Sequence, residues 1–573
     1  MPDAFSVLLE RLQSAFDTVA PGADPVLRPS DRADFQANGA LALAKRLGRP
    51  PQEVAREVLE AASLDDVCRE VDVSGPGFIN LTLSDDFVAA QVAAIGADER
   101  LGVAAVAAPQ TVVIDYSGPN VAKEMHVGHL RSTVIGDSLA RIYDFLGHTV
   151  LRENHIGDWG TPFGMLIEHL LDAGMSADAD TFSVRDLNTF YSEARLVFDS
   201  DPSFAERCRQ RVVLLQSGDP ETMRLWEIFV AESMRHAEEV YALLGVLLTK
   251  DDVVGESFYN PLLPVVVEEL DADGLLVEND DAQCVFPAGF ENRKGDPLPL
   301  IVRKSDGGYG YPATDLACVR DRTERRQATR LIYVVGAEQA LHFRMVFAVA
   351  ELAGYLKPPA TAVHVGFGMV LGSDGKKFAS RGGESERLID LLHEGVARAE
   401  VAMAGRPSDL SPVAKAAVAR AIGIGAVKYA DLSTERMRGY VFDWDRMLAA
   451  DGDTGPYLQY ARARICSIFR RGNVSPPPPG TKPLLAEPAE RALALQLLQF
   501  GAAVEAAADE YSPAKLCTYL FDLASTFTTF YEACRVLVDD EAVRTSRLAL
   551  SDLVARVLGL GLSLLGMEAP DQI

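Results

Sequence analysis

Residues Asp115–Arg131 read DYSGPNVAKEMHVGHLR, and the chain on either side of them decides the fold. Upstream, Thr111–Tyr116 (TVVIDY) is a β-branched run that ends in Ser-Gly-Pro-Asn, the pattern of a strand followed by a turn. Downstream, Leu130, Val134, Ile135, Leu139, Ile142 and Phe145 recur at helical spacing, and Gly147 closes the segment. Thr149–Leu151 starts another strand. Strand, turn, helix and strand make the βαβ unit of a parallel sheet. His126-Val127-Gly128-His129 falls where the turn becomes the helix. Backbone N–H groups at a helix N-terminus favour phosphate. Two imidazoles three residues apart share a helix face and can donate to one triphosphate. Gly128 lets a nucleotide approach the backbone closely. Chance alone gives His-x-Gly-His in about one such chain in a hundred, so its place after strand and turn is what gives it weight. The alternative is zinc ligation, and no cysteine or further histidine cluster lies nearby in sequence.

A chain of 573 residues exceeds one hydrophobic core and divides into about three or four domains. With 48% apolar and 24% charged residues it has the composition of soluble globular material. No apolar run approaches the ~20 residues of a membrane span. The start, MPDAFSVLLERLQSAF, is amphipathic and lacks the basic region of a secretory signal. Seven scattered cysteines without a Cys-x-x-Cys pair fit free thiols in a reducing cytoplasm. The formal charge of −27 works against phosphate-gripping partners, although a basic face can coexist with acidic surroundings. Acids concentrate in Asp172–Asp186 and Asp271–Asp281, and bases gather at Arg462, Arg464, Arg470 and Arg471.

Three modules are expected. Residues 1–100 mix helical patterns with one alternating run, Gly77–Leu83 (GFINLTL), and Leu101–Gln110 is a connector. Residues 101–400 hold the parallel sheet, with sheet-like runs resuming at Leu300–Arg303, Leu331–Val335 and Ala362–Val365. Within them 171–299 is mostly helical by pattern, carries none of the candidate site residues, and reads as an insertion. Residues 401–573 are helical almost throughout, with Ser475–Gly480 (SPPPPG) a stiff loop between helices.

The sequence SGPNVAKEMHVGHLRST, followed by NHIGDWGTPFG (Asn154–Gly164), is similar to the arginyl-tRNA synthetases of bacterial type, a class I aminoacyl-tRNA synthetase family. These carry Ser-x-Pro-Asn-x-Ala-Lys before His-x-Gly-His. The similarity continues through DDVVGES (Asp251–Ser257), DGGYGYPATDLA (Asp306–Ala317), GIGAVKYADLS (Gly423–Ser433), DTGPYLQYARAR (Asp453–Arg464) and GMEAP (Gly566–Pro570), nearly the whole chain. It implies a Rossmann-type α/β catalytic domain with a helical insertion, a small α/β N-terminal domain that meets the outer corner of tRNA, and an all-α anticodon-binding domain at about 453–573. The activity it implies is activation of L-arginine with ATP to arginyl-adenylate and pyrophosphate, then transfer to the 2′-hydroxyl of the terminal adenosine of tRNA(Arg). ATP would be a substrate, its Mg2+ arriving with the nucleotide, and no permanent cofactor or protein-bound metal is expected. A cytoplasmic monomer without membrane attachment is the expected form.

The resemblance also assigns roles, and each fits a chemical need. Activation asks the protein mainly for positioning and charge stabilisation. His126, Gly128 and His129 would hold the triphosphate, and Lys123 would set a cation against its developing charge. A guanidinium needs acceptors that an ammonium cannot satisfy in the same way. Asp115 and Asp315 fall at the family's pocket positions, with Tyr311 four residues before Asp315. Ser117, Asn120, His155 and Gln339 match positions around the substrate, and His155 shares with Asp158 the exit loop of the second strand. His364, Gly366, Phe367 and Met369 resemble the wall that accepts adenine. The second class I motif, Lys-Met-Ser-Lys-Ser, is replaced by Gly375-Lys376-Lys377-Phe378-Ala379-Ser380-Arg381, leaving Lys376, Lys377 and Arg381 as candidate phosphate ligands and Lys377 as a candidate catalytic cation. Ala379 stands where relatives often have lysine, which increases the weight on Lys123. Tyr457, Tyr460, Arg462 and Arg464 would offer stacking faces and cations to tRNA, although at helical spacing such residues equally serve packing.

Other readings keep part of this pattern. A small nucleotidyltransferase with His-x-Gly-His would end soon after the sheet domain, against the long helical tail here. A non-catalytic tRNA- or arginine-binding regulator would be expected to lose His126, His129, Asp115 or Asp315, all of which are present. A second copy serving inhibitor resistance or a biosynthetic pathway would keep the chemistry. Gly118, where relatives usually have Ser or Ala, and Ala379 are its only hints.

Overall fold

Val112, Val113 and Ile114 are fully buried, which a strand achieves when helices cover both faces of its sheet. They lie in β1 (Thr111–Asp115), one of four parallel strands with β2 (Thr149–Glu153), β3 (Arg330–Tyr333) and β4 (Thr361–His364). The structure, a computed structural model, describes residues 4–30, 32–174, 184–372, 374–376, 378, 386–404 and 409–573. The spatial order is β4-β3-β1-β2, so the chain leaves β1 to one side for β2 and later returns to its other side for β3. Open α/β sheets bind ligands at such a reversal, beyond the carboxyl ends of the strands. The last residues of the strands stand in register there: Glu153, Asp115, Tyr333 and His364.

Five helices matter for the site: α1 (Val127–Phe145), α2 (Pro220–Leu244), α3 (Tyr311–Glu324), α4 (Ala340–Leu352) and α5 (Pro412–Leu432). The apolar stripe of α1 (Leu130, Val134, Leu139, Ile142) packs with Val112 and Ile114, and Leu316, Ala317, Val346 and Val349 of α3 and α4 pack with Val113 on the opposite face. This is the Rossmann-type arrangement expected from the strand–turn–helix pattern.

The segment between β2 and β3 is helical over most of its length and also holds a small sheet. After α2 and the helix Leu263–Ala272 it forms a three-stranded antiparallel sheet of Val277–Asn279, Ala282–Val285 and Leu300–Arg303. Its tight turn is Asp280-Asp281, with φ of 50° and 59°, the paired left-handed conformation that joins twisted strands. Leu300–Arg303 therefore belongs to this small sheet and not to the parallel one.

The N-terminal residues form a four-stranded antiparallel sheet in the order Leu27–Pro29, Phe35–Ala37, Phe78–Leu83, Cys68–Ser74, packed by helices. The C-terminal part is a bundle including Gly455–Gly472, Pro513–Ala533 and Glu541–Leu564. Arg491 of the bundle clamps the N-terminal module through Asp34 (2.6 Å) and Asp85 (2.7 Å), and Arg556 donates to the Gly96 carbonyl. Two buried cations tie the bundle to the sheet domain. Arg131 on α1 pairs with Asp431 on α5 and donates to the Gly368 and Arg438 carbonyls. Lys428 on α5 donates to the carbonyls of Leu244, where α2 ends, and Gly566. All seven cysteines are free. Among the described residues no helix is long and apolar enough to cross a membrane.

Candidate active site

The turn after β1 holds a backbone that side chains rarely adopt. Ser117, Gly118 and Ala122 have φ of 74°, 54° and 65°. Such conformations cost about 1–3 kcal/mol each at a non-glycine residue and persist where surroundings over-determine them. Here the Ser117 amide donates to Ser132 Oγ, its hydroxyl meets Tyr241 and Thr133, and the Gly118 amide donates to Asn154 Oδ1. The Ala122 amide donates to Ser233 Oγ, and Val121 and Asn120 bridge to Gly157. Tyr241 and Ser233 lie on α2, so the inserted segment braces the signature loop although the sequence placed no site residue in it. The Ser117 hydroxyl is thereby engaged in holding the loop.

His126 caps α1. Its Nδ1 accepts from the Gly128 amide at 2.9 Å, and His129 Nδ1 accepts from the His126 amide at 3.0 Å. An acceptor Nδ1 fixes the neutral tautomer with hydrogen on Nε2. The two rings, 4.2 Å apart, are thus both Nε2–H donors at the positive end of a helix. Gly128 has a second use: a Cβ there would lie 2.6 Å from His126 Cε1, so only glycine lets that ring fold back. Lys123 is exposed, its Nζ 5.1 Å above the Tyr191 ring of the insertion.

Acids collect at the carboxyl ends of β1 and β2. Asp115 Oδ2 accepts from buried Arg322 of α3 at 2.7 Å, and Arg322 also serves Glu153 while lying over Tyr333. Asp315, on the first turns of α3, has Oδ2 2.6 Å from His342 Nε2 of α4. Tyr311 opens α3 and is exposed, and its hydroxyl is raised by desolvation and by nearby Glu256 and Tyr191. Asp158 is buried and accepts from the Ser257 amide and hydroxyl; burial pushes its carboxyl up. Glu256 is a member of this cluster that sequence did not single out. Burial, with the charges of Asp158 and Asp315, pushes its carboxyl to about 8. Carboxyls forced together resist ionising until a cation arrives. His155 is half-buried with its ring 5.7 Å from Tyr259, and Gln339 is exposed at the turn before α4. Gly255 keeps the cluster close, because a Cβ there would fall 2.1 Å from Asp158 Oδ2.

The expected adenine wall follows β4. His364 Nε2 lies 2.9 Å from the Val335 carbonyl and its ring stacks on Phe343; burial lowers its pKa. Gly366 accepts from Arg436, Phe367 bridges to Gly336 and stands under Arg131, and Met369 is exposed. Lys376 is exposed in the following turn. Lys377, Ala379 and Arg381 lie outside the described residues.

Of the tRNA candidates, Tyr457 packs 5.7 Å from Phe521 and Tyr460 packs against a small core of α5. Arg462 donates to the Ala569 carbonyl and pairs with Asp571, fastening the C-terminus, while Arg464 is exposed. The partners Tyr241, Arg322, His342 and Glu256 were missed because their meaning comes from contacts between distant segments. DDVVGES was the one signal available for Glu256.

Comparison with known proteins places the whole chain in one family. The family model described as tRNA synthetases class I (R), catalytic domain, matches residues 91–444, the arginyl tRNA synthetase N terminal domain matches 6–83, and the DALR anticodon binding domain matches 458–573. The chain is 55% identical to the arginine–tRNA ligase of Thermobifida fusca over 100% of both sequences, and 50% identical to that of Frankia casuarinae over 98% of this chain and 97% of the relative. Among solved structures it resembles the arginyl-tRNA synthetase of Plasmodium falciparum (TM-score 0.86, 28% identity, 100% of both chains) and that of Thermus thermophilus (TM-score 0.82, 26% identity, 99% and 100%). Family models that follow one another along the chain, and relatives identical to it at half or more of the aligned positions over nearly its full length, leave one conclusion: the chain belongs to the arginyl-tRNA synthetase family of class I.

Proposed function

We propose that the chain is an arginine–tRNA ligase that uses ATP to form arginyl-adenylate and then esterifies the 2′-hydroxyl of the terminal adenosine of tRNA(Arg). The observation that carries this is the adjacency, around one strand end, of two Nε2–H imidazoles on a helix N-terminus and a cluster of carboxyls. The first suits a triphosphate and the second a cationic side chain. Arginine enters with its guanidinium toward Asp115, Asp315 and Glu256 and its α-amino end toward Asn120 and Gln339. Its carboxylate attacks the α-phosphate in line, the P–O bond to pyrophosphate breaks, and His126, His129 and Lys123 stabilise the charge leaving with pyrophosphate. The ribose hydroxyl then attacks the activated carbonyl and AMP departs.

In this reading 1–100, 101–400 and 401–573 are the working modules, Mg2+ comes with the nucleotide, and the protein acts as a cytoplasmic monomer. Gly118 favours no second purpose, since its φ of 54° is one that glycine adopts without cost. The test is aminoacylation: labelled arginine should become attached to tRNA only with ATP, and removing the terminal 2′,3′-diol by periodate should abolish it. Attachment of lysine at a comparable rate would reject the assignment.

A further inference from the structure

The carboxylates of the arginine pocket are held unequally. Asp315 Oδ2 lies 2.6 Å from His342 Nε2. An ionised carboxylate only accepts, so His342 is the donor in a short, charge-assisted bond. The imidazole has little freedom: it stands edge-on to Phe343 at 5.4 Å, and Phe343, buried in the core, stacks on His364 at 4.9 Å. Asp115 shows the same device from the other side, where Arg322 takes its Oδ2 at 2.7 Å while also holding Glu153. In both acids the oxygen taken is Oδ2, so a ligand would meet Oδ1.

We propose that His342 is a positioning residue for substrate arginine: it takes one oxygen of Asp315, so that the guanidinium meets Asp315 through Oδ1 alone and spans to Asp115, held in the same way by Arg322. This rests on the reading of Asp315 as a guanidinium acceptor. Its consequence is a division of labour. A lone carboxylate can rotate to satisfy either a point-like ammonium or a fork, whereas two acids each fixed at one oxygen present separated acceptors in set directions. A guanidinium offers a planar spread of N–H groups in fixed directions to such acceptors, whereas an ammonium is a compact point charge. Pinning also keeps Asp315 from turning toward solvent while the pocket is empty, so less ordering remains to be done when arginine binds.

The test measures KM for arginine and for ATP in pyrophosphate exchange with tRNA present, for His342→Ala, His342→Gln and Asp315→Asn. His342→Ala should raise the arginine KM about tenfold, the scale of a lost hydrogen bond to a charged group, and leave the ATP KM within about twofold. His342→Gln still offers an N–H and should recover most of the loss. Unchanged arginine KM in His342→Ala, equal rises in both KM values, or a Gln variant no better than Ala would each overturn the proposal. Asp315→Asn separates the two claims. If it leaves arginine KM unchanged, the acceptor reading fails; if it raises that KM while His342→Ala does not, only the positioning role fails.

Discussion

Gly128 shows how much one residue carries. The His-x-Gly-His pattern is legible in the sequence as a phosphate motif, but the glycine's first task is internal, clearing the space into which His126 folds to cap α1. Gly128→Ala should therefore displace the imidazole and lower the exchange rate about tenfold or more, equivalent to ~1.4 kcal/mol of transition-state stabilisation, while thermal unfolding shifts by only a few degrees. An unchanged rate would mean that the ring conformation is irrelevant to the chemistry. Glu256 belongs to the same scale and was not legible, because its environment is built by Asp158 and Asp315 from other segments. Its carboxyl is raised from the ordinary 4.5 to about 8, so the fold favours the protonated form. That contribution is complete below the unfolded value and is lost as pH rises through about 8. Urea unfolding without arginine should show the wild type losing stability relative to Glu256→Gln between pH 5 and about 8. A constant difference across that window would refute the burial argument.

At the scale of elements, the βαβ unit around β1 was legible because hydrophobic period and turn residues agree with the tertiary structure there. The hairpin at Asp280-Asp281 was not, since adjacent acids read as surface charge until their left-handed backbone is seen. Nor does periodicity reveal that α1 and α5 are joined through Arg131 and Asp431, both buried, far apart in sequence and coupled to the Gly368 carbonyl beside the adenine wall. Removing one partner of a buried pair strands the other charge and costs about 3–5 kcal/mol. Arg131→Leu should lower unfolding free energy by about that amount, measured by urea titration. A loss under about 1 kcal/mol would show that the pair is no more than a surface-like contact.

For the whole molecule, end-to-end family similarity and the modular order agree, while the contacts that make three modules one body could be found only in the structure. Lys428 is the clearest of them: fully buried, it joins α5 to the end of α2 and to the C-terminal Gly566. Burial lowers its pKa from 10.5 to about 8, against the partial opposition of Asp137. Folding thus favours loss of the Lys428 proton relative to the unfolded chain, a contribution present above the unfolded value and lost as pH falls through about 8, below which the lysine is a cation. Wild type should gain stability relative to Lys428→Met between pH 8 and 10, opposite in sign to the change at Glu256. A falling or flat difference would contradict the buried-lysine account. The central claim is that the histidine-capped helix and the acid pocket act on one pair of substrates, and arginine-dependent ATP–pyrophosphate exchange tests it most directly. Exchange should appear with arginine and tRNA together and disappear when lysine replaces arginine. Absence of exchange under every condition, or equal exchange with lysine, would contradict it.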